Sequence, residues 1–260
     1  MNGTKIYTLY SSSKGNSVYI EAPDVRILID AGGSMRSLTN AMCAVGGALS
    51  KLDAVFVTHA HSDHTGSLVM LMKKHHIPVH MTDDCAREFR DRCAPICDTV
   101  TVHPRHYTEA VGSLTLCSFV TPHDSAGSVG YVVKGSDFCL GLATDMGFVT
   151  EEIFRSLCGC DRVIVESNYD RDMLVYGSDP PVLKARISSR TGHLSNDDCA
   201  QLVTALAGRG VKNFMLAHLS ERNNTPETAL RTSCAALQKG GHADGCSILC
   251  AAPDRPTLFD

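Results

Sequence analysis

Between His59 and His64 the chain places three imidazoles and a carboxylate within six residues, in the run Thr58-His59-Ala60-His61-Ser62-Asp63-His64. All four are metal-ligand side chains, and the chemistry they suggest is metal-assisted hydrolysis. The preceding Ala54-Val55-Phe56-Val57 reads as a short buried strand, and Thr65 to His75 has the Leu68, Leu71, Met72 spacing of an amphipathic helix. The run therefore lies in the connection at the carboxyl end of a strand. Extended backbone there can turn His59 and His61 to one side, while Asp63 and His64 swing from the helix start toward a second position. Two metals, rather than one, are the expectation. The alternative is a polar loop in a chain that has twelve histidines, and the tight spacing argues against it.

Four such groups cannot close two metal sites, so further ligands must come from downstream. Leu114 to Val120 looks like a strand and runs into Thr121-Pro122-His123-Asp124. Phe138 to Ala143 is a second apolar run, ending at Thr144-Asp145, and Val211 to Ala217 ends at His218-Leu219-Ser220. Each candidate stands at a strand exit, where open α/β sheets place their chemistry. Taken singly, each is a capping or turn residue more often than a ligand. The order in which they follow the opening motif is what favours ligation.

In that order the sequence resembles a metallo-β-lactamase fold hydrolase over nearly its whole length, which implies an α/β protein built as an αββα four-layer sandwich. The resemblance implies that His59, His61 and His123 hold one metal. It implies that Asp63, His64 and His218 hold the other, and that Asp145 bridges the two. Asp30, in Ile27-Leu28-Ile29-Asp30-Ala31-Gly32, matches an early motif of that family, which implies a part in orienting ligand histidines. The local sequence supports a turn residue before Gly32-Gly33 equally well. A closer likeness rests on Ser11 to Ser17, Glu166-Ser167-Asn168-Tyr169-Asp170, Gly192-His193-Leu194-Ser195-Asn196 and Ala217 to Pro226. These are similar to the YycJ/WalJ-type exonuclease branch, regarded as DNA exonucleases related to ribonuclease Z. The paired Gly-His-x-Ser and His-x-Ser elements are the most specific part. Ser12-Ser13-Lys14 departs from the branch, where a glycine is common in that loop.

The chemistry points the same way. Two divalent ions about 3.5 to 4 Å apart can hold a bridging hydroxide and stabilise both the attacking and leaving oxygens of a phosphoryl displacement. Formally, such a site keeps a small positive balance although the chain carries −4. Substrate attraction is therefore expected to be local, with few phosphate contacts, since duplex-coating proteins show a basic excess. His193 precedes Ser195-Asn196-Asp197-Asp198, a cap-like cluster before a helix from Cys199 to Ala207, so it stands near backbone N–H groups that favour phosphate. The resemblance implies that His193 faces the scissile phosphate as acid for the leaving oxygen. Asp63 is expected to double as ligand and proton acceptor. Lys14, Asn16, Asn168, Arg190, Ser195, Arg222, Asn223 and Asn224 remain as substrate-contact candidates, though a lone basic residue in a polar loop is more often solvated. Thr225 and Pro226 read as the cap and first residue of a helix from Pro226 to Leu237.

A length of 260 residues with 43% hydrophobic content fits one domain over 1–260. Strand-like runs at 4–10, 17–22, 25–30, 53–57, 99–102, 113–120, 129–133, 137–143, 161–165, 211–217 and 247–250 alternate with helical ones, as in two sheets between helices. Met1 opens a strand-like segment without an apolar signal region, and no apolar run approaches 18 residues, so a cytoplasmic protein with no membrane span is expected. Twelve cysteines then read as reduced thiols. Cys117 and Cys139 read as core residues, while Cys85, Cys93, Cys97, Cys158, Cys160, Cys246 and Cys250 lack zinc spacing. His75, His76, His80, His103, His106 and His242 read as surface or capping residues.

The leading reading is a binuclear metal-dependent phosphodiesterase, a 5′-to-3′ DNA exonuclease acting on DNA ends. Zinc, manganese or iron suits the imidazole and carboxylate ligands. An RNA-processing nuclease of ribonuclease Z type is the nearer alternative, but the Gly/Pro-rich arm of that type is missing between His64 and His123. The 72 residues between Asp145 and His218 leave no room for an inserted β-CASP domain. A small-ester or thioester hydrolase of the same fold is the other, and no substrate-binding helical appendix supports it. A non-enzymatic metal-bound protein would be expected to lack a ligand, and none is missing.

Overall fold

Most strands are buried along nearly their whole length, on both faces of the pleat, so each sheet must be covered on two sides, which is the demand that a four-layer arrangement satisfies. The computed structural model describes residues 3–93 and 99–260. The first sheet contains Lys5–Ser12 (β1), Gly15–Glu21 (β2), Arg26–Ile29 (β3), Ala54–Phe56 (β4), Val79–Thr82 (β5) and Val100–His103 (β6). The second contains Thr108–Val111 (β7), Leu114–Val120 (β8), Val129–Lys134 (β9), Cys139–Ala143 (β10), Arg162–Glu166 (β11), Asn213–Ala217 (β12) and Ser247–Cys250 (β13). Thr257–Leu258 (β14) returns to the edge of the first sheet beside β1. The sheet orders are β14-β1-β2-β3-β4-β5-β6 and β13-β12-β11-β10-β9-β8-β7.

Ile6, Ile20, Ile27 and Phe56 of the first sheet meet Leu116, Tyr131, Leu140 and Met215 of the second in the central layer. The other face of the first sheet packs Leu28 and Val55 with Leu38 and Met42 of Met35–Ala44 (α1). It also packs Leu71 of Leu68–His75 (α3) and Phe89 of Asp83–Cys93 (α4), the short Ser62–Thr65 (α2) preceding both. The second sheet is covered by Glu151–Leu157 (α5), Asn196–Ala207 (α8) and Pro226–Lys239 (α9), through Ile153, Leu206 and Leu237. Arg171–Tyr176 (α6) and Pro181–Ile187 (α7) lie between β11 and α8 in the chain. The αββα expectation is met. No helix among the described residues is long and apolar enough to cross a membrane.

β3 through β6 are parallel, as are β10 through β13, so the carboxyl ends of β3, β4, β10, β11 and β12 open toward loops that can meet. Three strands escaped the sequence pattern. β5 is buried throughout but interrupted by His80, β7 is a half-exposed edge, and β14 has two residues. The helix expected from Thr65 to His75 is instead broken at Gly66-Ser67. A Cβ on Gly66 would come within 2.6 Å of the Gly33 carbonyl, and the Ser67 hydroxyl donates to that carbonyl at 3.0 Å. Docking onto the Gly32-Gly33 loop thus overrides helical periodicity. His76 caps α3 in the left-handed region, as expected. Cys117 and Cys139 are half-buried at the margin of the outer layer, not central, and Cys97 lies outside the described residues. Cys43, Cys85, Cys117, Cys139, Cys158, Cys160, Cys199, Cys234, Cys246 and Cys250 are free thiols, and the side chain of Cys93 lies outside what is described.

Candidate metal centre

Three strand exits bend the same way. Asp30 after β3, Asp145 after β10 and His218 after β12 have φ of 63°, 57° and 55°. Left-handed backbone is unfavourable for residues with a Cβ and persists where surrounding structure imposes it, often at functional sites. Here each bend follows a parallel strand and presents a polar side chain to the same end of the sandwich. The approach is close: a Cβ on Gly32 would sit 1.7 Å from the Asp63 carbonyl, so only glycine fits beneath the opening motif.

The ligand atoms of His59, His61 and His123 lie within 4.8 Å of one another, as do those of Asp63, His64 and His218. A third such group, His59, His64 and Asp145, joins the two sets. Asp145 Oδ2 is 3.3 Å from His64 Nε2, and Asp145 Oδ1 is 3.7 Å from His123 Nε2. All seven expected ligands are therefore together, with Asp145 between the sets. Asp63 and His64 lie on α2, so the helix start does carry the second pair.

Hydrogen bonds from behind settle which ring nitrogen faces inward. Asp30 Oδ2 lies 2.8 Å from His64 Nδ1 and accepts from the Thr58 hydroxyl, while Asp30 Oδ1 accepts from the Thr58 amide. The Thr58 hydroxyl lies 3.0 Å from His59 Nδ1, and the Gly192 carbonyl 3.1 Å from His123 Nδ1. Glu166 Oε1 takes His218 Nδ1 at 2.9 Å. Each of these four rings thus directs Nε2 toward the shared space, the arrangement that tunes and aims a metal-ligating imidazole.

Two atoms inside this space have no hydrogen-bond partner: His59 Nε2 and Asp145 Oδ2. Both belong to fully enclosed side chains, and a buried lone pair without a partner is costly unless a cation meets it. Charge tells the same story. Burial lowers the His64 and His218 pKa values, but Asp145 and the neighbouring carboxylates outweigh it, raising His64 well above the usual value and His218 to about 10. Asp63 is opposed by burial yet held well below the carboxylate range by His64 and His218. His59 and His61 are pushed down, chiefly by burial. Carboxylates that call for positive charge beside imidazoles kept neutral form a donor set that fits two divalent ions.

The centre opens into a cleft of about 390 Å³ lined by Asp63, Asp145, His193 and His218, with Arg186 and Asn168 on its walls. His193 Nδ1 is 2.8 Å from Glu166 Oε1, the oxygen that also takes His218. Glu166 Oε2 accepts from the Met146 and Leu194 amides. Burial opposes its charge, but His193 and His218 hold its pKa well below the carboxylate range. Glu166 thus holds His218, an expected ligand, and His193, the expected acid, together, and sequence reasoning assigned it no role. Its only signal was a glutamate ending an apolar strand within the likeness segment. Arg186 and Asp124 were also missed. They form an ion pair at 2.6 Å beside His61.

The weaker substrate-contact candidates divide. Asn16 lies at the centre, its amide donating to Asp63 Oδ2 at 3.3 Å and approaching His64 Nε2 at 3.1 Å. Asn168 lines the cleft while its amide donates to the His218 carbonyl. Lys14 and Arg222 reach the rim but are paired with Glu221 and Asp179. Ser195 is placed away from the cleft: it is fully buried and caps α8 by accepting from the Asp198 amide. Asn223 is buried and lines the cleft while its amide donates to Asp179 at 2.7 Å, and Asn224 donates into the 167–168 backbone. Arg190 stacks over Phe148 at 4.0 Å instead of facing the cleft.

Residues 25–219 match the Beta-lactamase superfamily domain. The chain is 31% identical over 235 residues to the exodeoxyribonuclease WalJ of Streptococcus pneumoniae, covering 88% of this chain and 87% of that protein. It is 29% identical over 244 residues to the exodeoxyribonuclease YycJ of Bacillus anthracis, covering 94% and 92%. The fold is similar to that of the metallo-beta-lactamase fold protein YhfI from Bacillus subtilis, with a TM-score of 0.75 and 15% identity over 99% of this chain and 100% of that one.

Proposed function

Because the chain belongs to the beta-lactamase superfamily, we propose that it is a binuclear metal-dependent phosphodiesterase that removes nucleotides from DNA ends in the 5′-to-3′ direction. The observation that carries this reading is the pair of ligand sets meeting at Asp145 beside a histidine held by Glu166. Relatives named as exodeoxyribonucleases support the choice of DNA.

His59, His61 and His123 would hold one ion, and Asp63, His64 and His218 the other, with Asp145 shared. Zinc, manganese or iron, when bound, would supply charge stabilisation for the phosphate and acidify an attacking water. Asp63, held ionised by His64 and His218, has an oxygen to accept the proton of that water. Asn16 steadies the carboxylate by donating to Oδ2. His193, anchored through Nδ1, turns Nε2 to the cleft and donates its proton to the departing oxygen. Glu166 accepts from Nδ1 and balances the charge of the ring while it holds the Nε2 proton, as the orienting acid does in a hydrolytic triad. Arg186 stands on the cleft wall with its charge shared with Asp124 at 2.6 Å. With this reading go one domain over 1–260 and a cytoplasmic setting in which the thiols stay reduced.

The test is purified protein with Mn²⁺ or Zn²⁺ on end-labelled duplex DNA, single-stranded DNA and RNA, beside His61→Ala and His193→Ala. Stepwise shortening of DNA from the 5′ end is expected, with both variants impaired. Turnover of a thioester with no cleavage of any nucleic acid would defeat the reading. Preferential cleavage of RNA would move it to the ribonuclease Z type.

A further inference from the structure

A second group of imidazoles lies at the open edge of the sandwich, where β6 ends the first sheet and β7 ends the second. In the parallel β5–β6 pair, His80 registers with Thr101 and Thr82 with His103, so the two histidines stand on one face a single pleat apart. His80 Nδ1 is 3.0 Å from His103 Nε2. Glu109 on β7 supplies a carboxylate oxygen, and the three ligand atoms lie within 4.8 Å of one another. These histidines were expected at the surface or in caps, but His80 is buried and both are packed.

Packing already fixes both rings. Phe56 stacks on His80 at 4.6 Å and 12°, and Tyr107 stacks on His103 at 4.0 Å and 6°. The Tyr107 and Tyr131 hydroxyls lie 2.9 Å apart, and Tyr131 donates to the Val57 carbonyl at 2.8 Å. A site whose ligands are immobilised beforehand loses little entropy on binding an ion. Burial lowers both histidine pKa values, against the pull of Glu109, which keeps the rings neutral and their lone pairs available at pH 7. Among the described residues the half-buried Glu109 carboxylate has no hydrogen-bond donor.

We propose that His80, His103 and Glu109 form a third divalent metal site, of zinc class, that ties β5 and β6 of one sheet to β7 of the other. Two imidazoles and one carboxylate, with water in the fourth position, are a ligand set that Zn²⁺ and Co²⁺ accept. The proton between the two rings moves to the other nitrogen of its own ring, so the ion takes both lone pairs without net proton release. The site does not touch the cleft and does not depend on what the cleft hydrolyses. Its effect is to stabilise the folded chain by mass action.

The test is Zn²⁺ equilibrium dialysis of the chelator-stripped full chain, beside His103→Gln and Glu109→Gln. Wild type is expected to bind one Zn²⁺ per chain more than either variant, and His61→Ala to keep that ion. Histidine nitrogen NMR of wild type gives a readout that needs no variant: Zn²⁺ must shift the His80 and His103 resonances. An equal Zn²⁺ count in wild type and folded variants would overturn the site, as would histidine resonances that do not move.

Discussion

At the cleft, imidazoles are packed among Asp30, Asp63, Asp145 and Glu166, whereas at the sheet edge His80 and His103 share the single carboxylate of Glu109. Burial acts on every one of these rings in the same direction, disfavouring the charged form. Yet His64 and His218 rise, while His59 and His61 of the cleft fall as His80 and His103 do. The carboxylates in reach decide the sign. The cleft therefore stores negative charge that demands cations, and its strained Asp30, Asp145 and His218 backbones hold that charge in place. The edge group is a neutral pair of donors beside one acid, with no left-handed backbone among its members. One region is built for charge and chemistry, and the other for a structural ion.

The largest expected difference is in rate. His61→Ala should lower phosphodiester cleavage by about 10³-fold, since metal charge stabilisation is worth several kcal/mol. His103→Gln should leave the rate within about twofold, because it touches no ligand of the cleft. Equal losses in single-turnover assays would erase the distinction between the regions.

Glu166→Gln sharpens the cleft side. It loosens His193 and His218 together, and loss of a partner behind a metal ligand costs about 10–100-fold in activity or metal affinity. Turnover number and metal content measured on the same preparation should fall together. A drop in turnover with metal retained in full would confine Glu166 to the His193 branch.

Asp30→Ala tests stability. It leaves a buried, charged His64 with one partner fewer, so chemical denaturation of chelated protein should show a loss of about 3–5 kcal/mol. A change under about 1 kcal/mol would mean that Asp30 is only a turn residue.

The smallest effect is in pH. In chelated protein the His218 pKa is raised to about 10, so its contribution is complete below the unfolded value near 6.5 and fades as pH climbs through about 10. His80 is lowered, so the unfolded chain binds the extra proton and stability falls as pH drops below about 6.5. His80→Gln should therefore flatten the acid limb of a melting-temperature profile and leave the alkaline limb unchanged.

Much of the cleft was legible because its candidate ligands follow apolar runs: a strand that stops at His123, Asp145 or His218 announces itself locally. The two-sheet architecture was legible for the same reason. Glu166 was not, because its partners lie 27 and 52 residues away and a glutamate ending a strand has no local mark. The left-handed turns at Asp145 and His218 were hidden as well, since neither residue is a glycine, whereas at Asp30 the following Gly32-Gly33 already offered a turn. The break at Gly66 depends on contact with Gly33, a tertiary demand that periodicity does not report. The His80–His103 pair needed the register of β5 against β6, a strand pair of which only one member carried a strand pattern.

Elemental analysis of active His103→Gln protein tests the central claim most directly. Two divalent ions per chain are predicted, with both lost in His103→Gln/Asp145→Ala. Full cleavage activity with one ion or none would contradict it.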